Sequence, residues 1–304
     1  MRVKTTIYTH PAALLHDTGD GHPEGAARLH ALETILKEYP QIEAQPATQD
    51  QLLRAHPLHH IQMIEEATPP SGLSALDGDT ILSPHSFDAA LLAAGAACQA
   101  VDDVIAGRTQ AAFCAMRPPG HHAEPTRAMG FCLFNNVFIA ARHAQAAHNI
   151  KKIAIVDFDV HHGNGTDTMT RRHDGSILYI STHQYPLWPM SGLEEDNEDS
   201  VKNFTLPAGA DGDTFRKLYE TKVFPALNKF APDLLMISAG FDGHRDDPLA
   251  GWTLTEQDFG WVTAELKKIA VTHGHGRVIS MLEGGYHLPA LAASVAAHLR
   301  ALNA

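Results

Sequence analysis

The sequence predicts an α/β fold with a parallel sheet covered on both faces, and three observations carry that prediction. Short apolar runs rich in β-branched residues recur along the chain, Ala-rich stretches of helical period alternate with them, and each run opens into His, Asp, Gly or Tyr. The runs lie at 112–116, 153–157, 177–180, 234–238 and 278–282. Near-continuous apolar runs of this length suit strands buried on both sides. The helical stretches lie at 87–106, 137–149, 214–230, 256–273 and 288–302. Strands alternating with helices make right-handed crossovers, which place helices on either face. In such sheets, ligands bind beyond the carboxyl ends of the strands. Here RPPGHH follows the first run, DVHHGNG the second, STHQ the third, AGFDGH the fourth and EGGYH the fifth. Five polar segments at five strand ends predict one active-site edge on a single catalytic domain spanning 1–304.

Composition narrows the function. With 44% hydrophobic and 19% charged residues among 304, the chain is an ordinary globular enzyme in profile. No apolar run approaches the roughly 20 residues that span a bilayer. The N-terminal segment has no apolar stretch like a secretory signal, so a cytoplasmic protein is expected. A net charge of −12, from 35 acidic and 23 basic residues, argues against a nucleic-acid partner and suits a cationic substrate. Cys98, Cys114 and Cys132 form no CxxC motif and read as small core residues. The 21 histidines are the unusual feature, because histidine is both a metal ligand and a general base.

The sharpest motif runs from Asp157 to Gly165, DFDVHHGNG. Asp159 and His161 are two residues apart and project to one side at a strand end. Asp242, after the fourth run, adds a second carboxylate. Two Asp and one His leave a coordination position open for water, as in a catalytic zinc site. The same donors tolerate Fe2+ or Co2+ in place of Zn2+.

At this point the sequence resembles the histone deacetylase family and its bacterial relatives, including acetylpolyamine amidohydrolases. The matching segments are HPEGAARL (22–29), RPPGHHAEPTRAMGFCLFNNV (117–137), IVDFDVHHGNGT (155–166), SAGFDGHRDDPLAGW (238–252) and LEGGYHL (282–288). The resemblance implies a three-layer arginase/deacetylase-like fold and a deacetylase activity. It implies that Asp159, His161 and Asp242 hold zinc, that His121 and His122 are the tandem histidines beside the attacking water, and that Tyr286 donates to the substrate carbonyl. Asp157 then backs His121. A structural potassium ion (K+) is implied on carbonyls of Asp157, Asp159 and His161 with Ser181 and Thr182. Gly130 and Phe131 match the rim of an acyl-lysine tunnel, and Arg28 an arginine at an internal acetate channel. His122 is expected to act as general base, with His121 as its electrostatic partner.

Two departures matter. Asn164 stands where many members place a second aspartate, a class II-like trait; an amide stabilises an imidazolium less than a carboxylate does, so His122 is expected to stay neutral. Trp188 occupies a position where relatives carry Phe or Tyr, and is expected to narrow the tunnel toward short acyl groups. Asp79, in the loop with Asp77 before residue 87, is the expected carboxylate for the substrate backbone. Leu249 stands where polyamine-selective relatives place an acidic gatekeeper, which favours acyl-lysine in a protein or peptide over an acetylated small amine. A catalytically silent acyl- or metal-binding module is the remote alternative; retention of Tyr286 and every metal donor speaks against it. Among the remaining histidines, His16 and His22 sit in a loop that resembles the family's first active-site loop. His10, His56, His59, His60 and His85 read as surface or hydrogen-bonded residues, and nothing in the sequence points to a dimerisation arm.

Overall fold

The computed structural model describes residues 3–304, with side chains from Thr5 onward. Met1 and Arg2, which open the segment read as lacking a signal, lie outside the described residues. The described residues form ten strands: β1 (Val3–Thr9), β2 (Gln41–Glu43), β3 (Ser74–Ala75), β4 (Ile81–Leu82), β5 (Thr109–Cys114), β6 (Ile153–Asp157), β7 (Ile177–Gln184), β8 (Val201–Leu206), β9 (Leu234–Ala239) and β10 (Val278–Leu282). The α-helices are α1 (Ala27–Leu36), α2 (Gln49–Leu52), α3 (Leu58–Ala67), α4 (Ser86–Ile105), α5 (Asn136–His148), α6 (Asn164–Arg171), α7 (Gly212–Leu218), α8 (Phe224–Phe230), α9 (Glu256–His273) and α10 (Leu288–Asn303).

Eight strands form one sheet in the order β2-β1-β5-β10-β9-β6-β7-β8, and every pairing in it is parallel. Strands β3 and β4 form a separate antiparallel pair. The central strands β6, β9 and β10 are buried at every residue, because helices cover both faces and leave no polar side to expose. Helix α9 packs on α10 and α10 on α1, while α4 packs on α5; β5 touches both α4 and α10. Strands β9 and β10 are inserted between β5 and β6. The chain therefore reverses its winding direction at the sheet centre, where the carboxyl edges open a crevice. Among the described residues, no helix is long and apolar enough to cross a membrane.

Three expectations need correction. The third strand does not end at Ile180: β7 continues through Ser181, Thr182, His183 and Gln184, all buried. Their polar groups are satisfied inside, by Ser181 to His183, Thr182 to Tyr219, and His183 to the Gly192 carbonyl. Burying paired polar groups costs little, so polarity is a poor guide to where such a strand stops. The helix expected over 214–230 is interrupted by a π-helical turn, Tyr219–Val223. Pro225 has no N–H to donate, and the Phe224 N–H bonds five residues back to Tyr219, widening the turn. Finally, β1, β2 and β8 complete a sheet of which the apolar runs marked only five strands.

Candidate active site

The polar segments after β5, β6, β9 and β10 meet at the crevice. Asp159, His161 and Asp242 converge there, with one donor atom from each within 4.8 Å of the others. His161 Nδ1 lies 2.9 Å from Asp242 Oδ2 and 3.2 Å from Asp159 Oδ1. Backbone amides fix both carboxylates: Val160 N–H donates to Asp242 Oδ1, Gly284 N–H to Asp159 Oδ2 and His161 N–H to Asp159 Oδ1. Gly284 permits this approach, since a Cβ there would sit 2.2 Å from Asp242 Oδ2. Burial and the neighbouring Asp159 charge push the Asp242 carboxyl up to about 7. Two carboxylates and one imidazole nitrogen in a dry site carry negative charge that asks for a cation, and the donor set fits a divalent metal ion.

The tandem histidines differ in state. His121 Nδ1 pairs with Asp157 Oδ2 at 3.0 Å. Burial alone would lower the pKa of His121, but Asp157, Asp159 and Glu283 outweigh it and hold it up at about 10. His122 Nδ1 faces Asn164 Oδ1 at 2.9 Å. Burial, then the charges of His121 and His161, push His122 well below the ordinary histidine value. Burial and charge thus split the pair, holding His121 toward the imidazolium and His122 toward the neutral form, while the Asn164 contact acts the other way on His122. Asp157 in turn accepts from Tyr179 OH at 2.9 Å and from Asp159 N–H at 3.1 Å.

Beside the Asp159–His161–Asp242 cluster lies a cavity of about 380 Å³, whose walls include Gly130, Phe131, Trp188, Leu249, Asp79 and Tyr286. A Cβ on Gly130 would strike Trp188 at 2.5 Å and His122 at 2.6 Å, so only glycine fits that wall. Trp188 stands edge-on to the His122 ring, with centroids 4.7 Å apart. Phe131 packs edge-on against Tyr286 at 5.9 Å. Asp79 lies at the rim with His22, while Asp77 is spent on the N–H groups of Asp79 and Thr80. Ser181 is register partner to Asp157, and Thr182 Oγ1 lies 3.4 Å from the Asp157 carbonyl, so the residues named for potassium are neighbours.

Arg28 lies behind the tyrosine loop. It is buried, and three of its five N–H donors are committed to Glu24 and to the carbonyls of Glu283 and Gly285. The carboxylate it holds is Glu24 of the same chain, and its guanidinium lies 5.0 Å from the Tyr286 ring centre. In this structure Arg28 braces the tyrosine loop. Cys132 is fully buried rather than open to the cavity, and His16 pairs with Ser86 behind the loop.

Three carboxylates went unnoticed in the sequence. Glu283 Oε2 accepts the N–H groups of Gly120 and His121 at 2.7 and 3.2 Å, holding the tandem-histidine loop. Asp247 Oδ2 accepts the Tyr286 N–H at 2.7 Å. Glu124 Oε1 accepts from the Asn164 amide at 2.9 Å. A carboxylate directly after a buried, mostly apolar strand, as Glu283 is, was the one available signal. A second His/carboxylate cluster, Asp102 with His143 and His148, lies between α4 and α5. There Arg54 donates to His143 Nδ1, which leaves the His143 proton on Nε2 facing Asp102 at 2.7 Å. With His148 Nε2 also on Asp102 at 2.6 Å, the cluster is a satisfied staple beside a guanidinium, hostile to a cation.

Comparison with known proteins agrees with this geometry. Residues 22–302 match the histone deacetylase domain. The chain is 41% identical to an uncharacterized protein of Synechocystis sp., over 95% of this chain and 96% of that one. It is 37% identical to the histone deacetylase-like amidohydrolase of Pseudomonas aeruginosa, over 91% of this chain and 74% of that one. The crystal structure of the HDA15 HD domain superposes with a TM-score of 0.91 at 33% identity, covering 98% of this chain and 88% of that one. A parallel α/β sheet with this crevice, matched in sequence and structure from the first active-site loop to the last helix, makes the chain a member of the histone deacetylase family.

Proposed function

We propose that this hydrolase removes acetyl, or another short acyl group, from the Nε amine of lysine in proteins or peptides. The observation that carries the reading is the convergence of His122, Tyr286 and the Asp159–His161–Asp242 triad on one apolar-walled cavity. A zinc ion, or Fe2+ or Co2+, held by that triad supplies the Lewis acidity that polarises an amide carbonyl and acidifies water. His122 Nε2, free of any partner among the described residues, takes the proton of the attacking water. His121, held cationic by Asp157, stabilises the charge that develops beside it. The Tyr286 hydroxyl donates to the tetrahedral oxyanion as it forms. His122 then returns its proton to the leaving amine. Phe131 and Trp188 flank the alkyl stem and exclude water. The carbonyls of Asp157, Asp159 and His161, with Ser181 and Thr182, are hard oxygen donors suited to a structural potassium ion.

Two results test the metal. Chelation is expected to abolish turnover and added Zn2+ to restore it. Asp242→Asn is expected to lower bound metal, measured by atomic emission, from about one ion per chain to near none. Full metal occupancy in that variant would remove Asp242 from the set.

Asp79 favours a second reading. Its carboxylate at the rim can accept a peptide N–H or pair with the second ammonium of an acetylated polyamine, whereas Leu249 offers no charge. Hydrolysis of acetyl-, propionyl-, butyryl- and trifluoroacetyl-lysine peptides, measured beside acetylputrescine and acetylspermidine, separates the two. Faster kcat/KM on the polyamines would overturn the lysine assignment. In the same panel, Trp188→Phe is expected to raise the butyryl-to-acetyl ratio about tenfold, the value of one or two methylenes in a pocket. An unchanged ratio would show that Trp188 does not set chain length.

A further inference from the structure

Asn164 can serve His122 in only one of its two amide orientations. Its Oδ1 faces His122 Nδ1 at 2.9 Å. Its Nδ2 faces Glu124 Oε1 at 2.9 Å, the Met129 sulfur at 3.3 Å and the His122 carbonyl at 3.5 Å. All three are acceptors, so the amide nitrogen belongs on that side and the oxygen on the other. His122 must then carry its proton on Nδ1, which leaves the Nε2 lone pair free. Of the three acceptors, the thioether is weak and the carbonyl lies at the limit of hydrogen bonding. Glu124 is the one strong partner. It is half-buried and borders a separate cavity of about 500 Å³ with Arg127 and Arg171, outside the acyl cavity.

We propose that Glu124 is a positioning residue: its carboxylate latches the Asn164 amide, and through it fixes the Nδ1–H tautomer of His122. The inference rests on the reading of His122 as the base of a deacylase. An unlatched amide can turn over and present its NH2 group to His122 Nδ1. That pairing selects the tautomer with the proton on Nε2, where no base is available. An aspartate at 164 would accept through either oxygen and need no latch, and Glu124 would then oppose it as a like charge. The sign of the Glu124 effect therefore depends on the residue at 164.

The test compares zinc-loaded wild type, Glu124→Ala, Glu124→Gln, Asn164→Asp and the Asn164→Asp/Glu124→Ala double variant on an acetyl-lysine peptide. Glu124→Ala is expected to lower kcat about 10- to 100-fold, as outer partners of catalytic groups do, with KM little changed. Glu124→Gln, whose amide oxygen still accepts, recovers most of that loss. In the Asn164→Asp background, removing Glu124 costs nothing or speeds turnover. Equal losses from Glu124→Ala in both backgrounds would overturn the latch. Histidine 15N shifts of the zinc-loaded protein give a readout independent of turnover. Wild type is expected to show His122 protonated on Nδ1 and Glu124→Ala a mixture of tautomers, and an unchanged Nδ1–H signature in Glu124→Ala would refute the inference. If wild type cleaves no amide in the panel, the deacylase reading falls, while the 15N comparison still decides whether the latch exists.

Discussion

Tyr286→Phe is expected to lower kcat for amide hydrolysis about 10²- to 10³-fold, the loss found when one oxyanion donor is removed. KM, bound metal and thermal midpoint should stay near wild type. The Tyr286 hydroxyl has no partner among the described residues, so its removal orphans nothing. The ring keeps its place through Phe131, the Arg28 guanidinium and the Asp247 grip on its backbone N–H. Burial pushes the hydroxyl well above the ordinary tyrosine value, and the Arg28 charge offsets this only in part. The group is therefore a neutral donor throughout the working pH range, and the shape of the pH–rate profile should survive the substitution. A donor engaged only when the oxyanion forms affects kcat rather than ground-state binding. Steady-state kinetics with metal analysis decides the matter: a loss under tenfold in a metal-loaded variant would exclude Tyr286 as oxyanion donor.

Much of the metal and base constellation was legible because its residues cluster in sequence. Asp157, Asp159, His161 and Asn164 lie within eight positions of one another, directly after an apolar run, and that density sets them apart from scattered surface polar residues. Strands β6 and β10 were legible to the residue, since both faces are covered and each run is apolar but for one residue, Asp157 or Ser280. Strand β7 was legible only to its midpoint, because the interior there accepts polar side chains that satisfy one another. Apart from the place of Glu283 after β10, the groups that hold the site in place left no local pattern. Glu283 meets Gly120 across 163 positions, Asp247 meets Tyr286 across 39, and Glu124 meets Asn164 across 40. Asp247 lies among other carboxylates and Glu283 and Glu124 stand alone in theirs, yet in each case only folding reveals which amide is served. Arg28 shows the same limit, since nothing in its sequence context reveals that Glu24, four residues before it, pairs with it in the interior.

Glu24 is also the pivot of the largest stability effect expected. Arg117→Met should cost about 3–5 kcal/mol at pH 7, the scale for stranding one member of a buried ion pair. Both side chains are fully buried. Arg117 Nε lies 2.6 Å and its second terminal nitrogen 2.8 Å from the two Glu24 carboxylate oxygens; the other terminal nitrogen donates to the carbonyls of Ala13 and His16 at 3.0 Å. The substitution leaves the Glu24 charge to Arg28 at 3.1 Å, with His16 Nε2 at 3.6 Å. Burial would raise the Glu24 pKa, but Arg117, Arg28 and His16 together hold it below the ordinary carboxylate range. With the folded pKa depressed, the pair stabilises the fold above the unfolded value of about 4.3 and loses that contribution as pH falls through the folded value. In Arg117→Met burial dominates instead, so protonation of Glu24 relieves the variant as pH falls. The gap between the two proteins, measured by urea unfolding, should narrow from pH 7 to pH 4; a gap independent of pH would show that the stranded Glu24 charge is not its cause. The same network reaches the chemistry, because Glu24 holds Arg28 and Arg28 braces the Tyr286 loop. Arg117→Met should therefore lose kcat even at temperatures where it remains folded, and this loss should vanish in the Tyr286→Phe background, where the hydroxyl it would misplace is already gone.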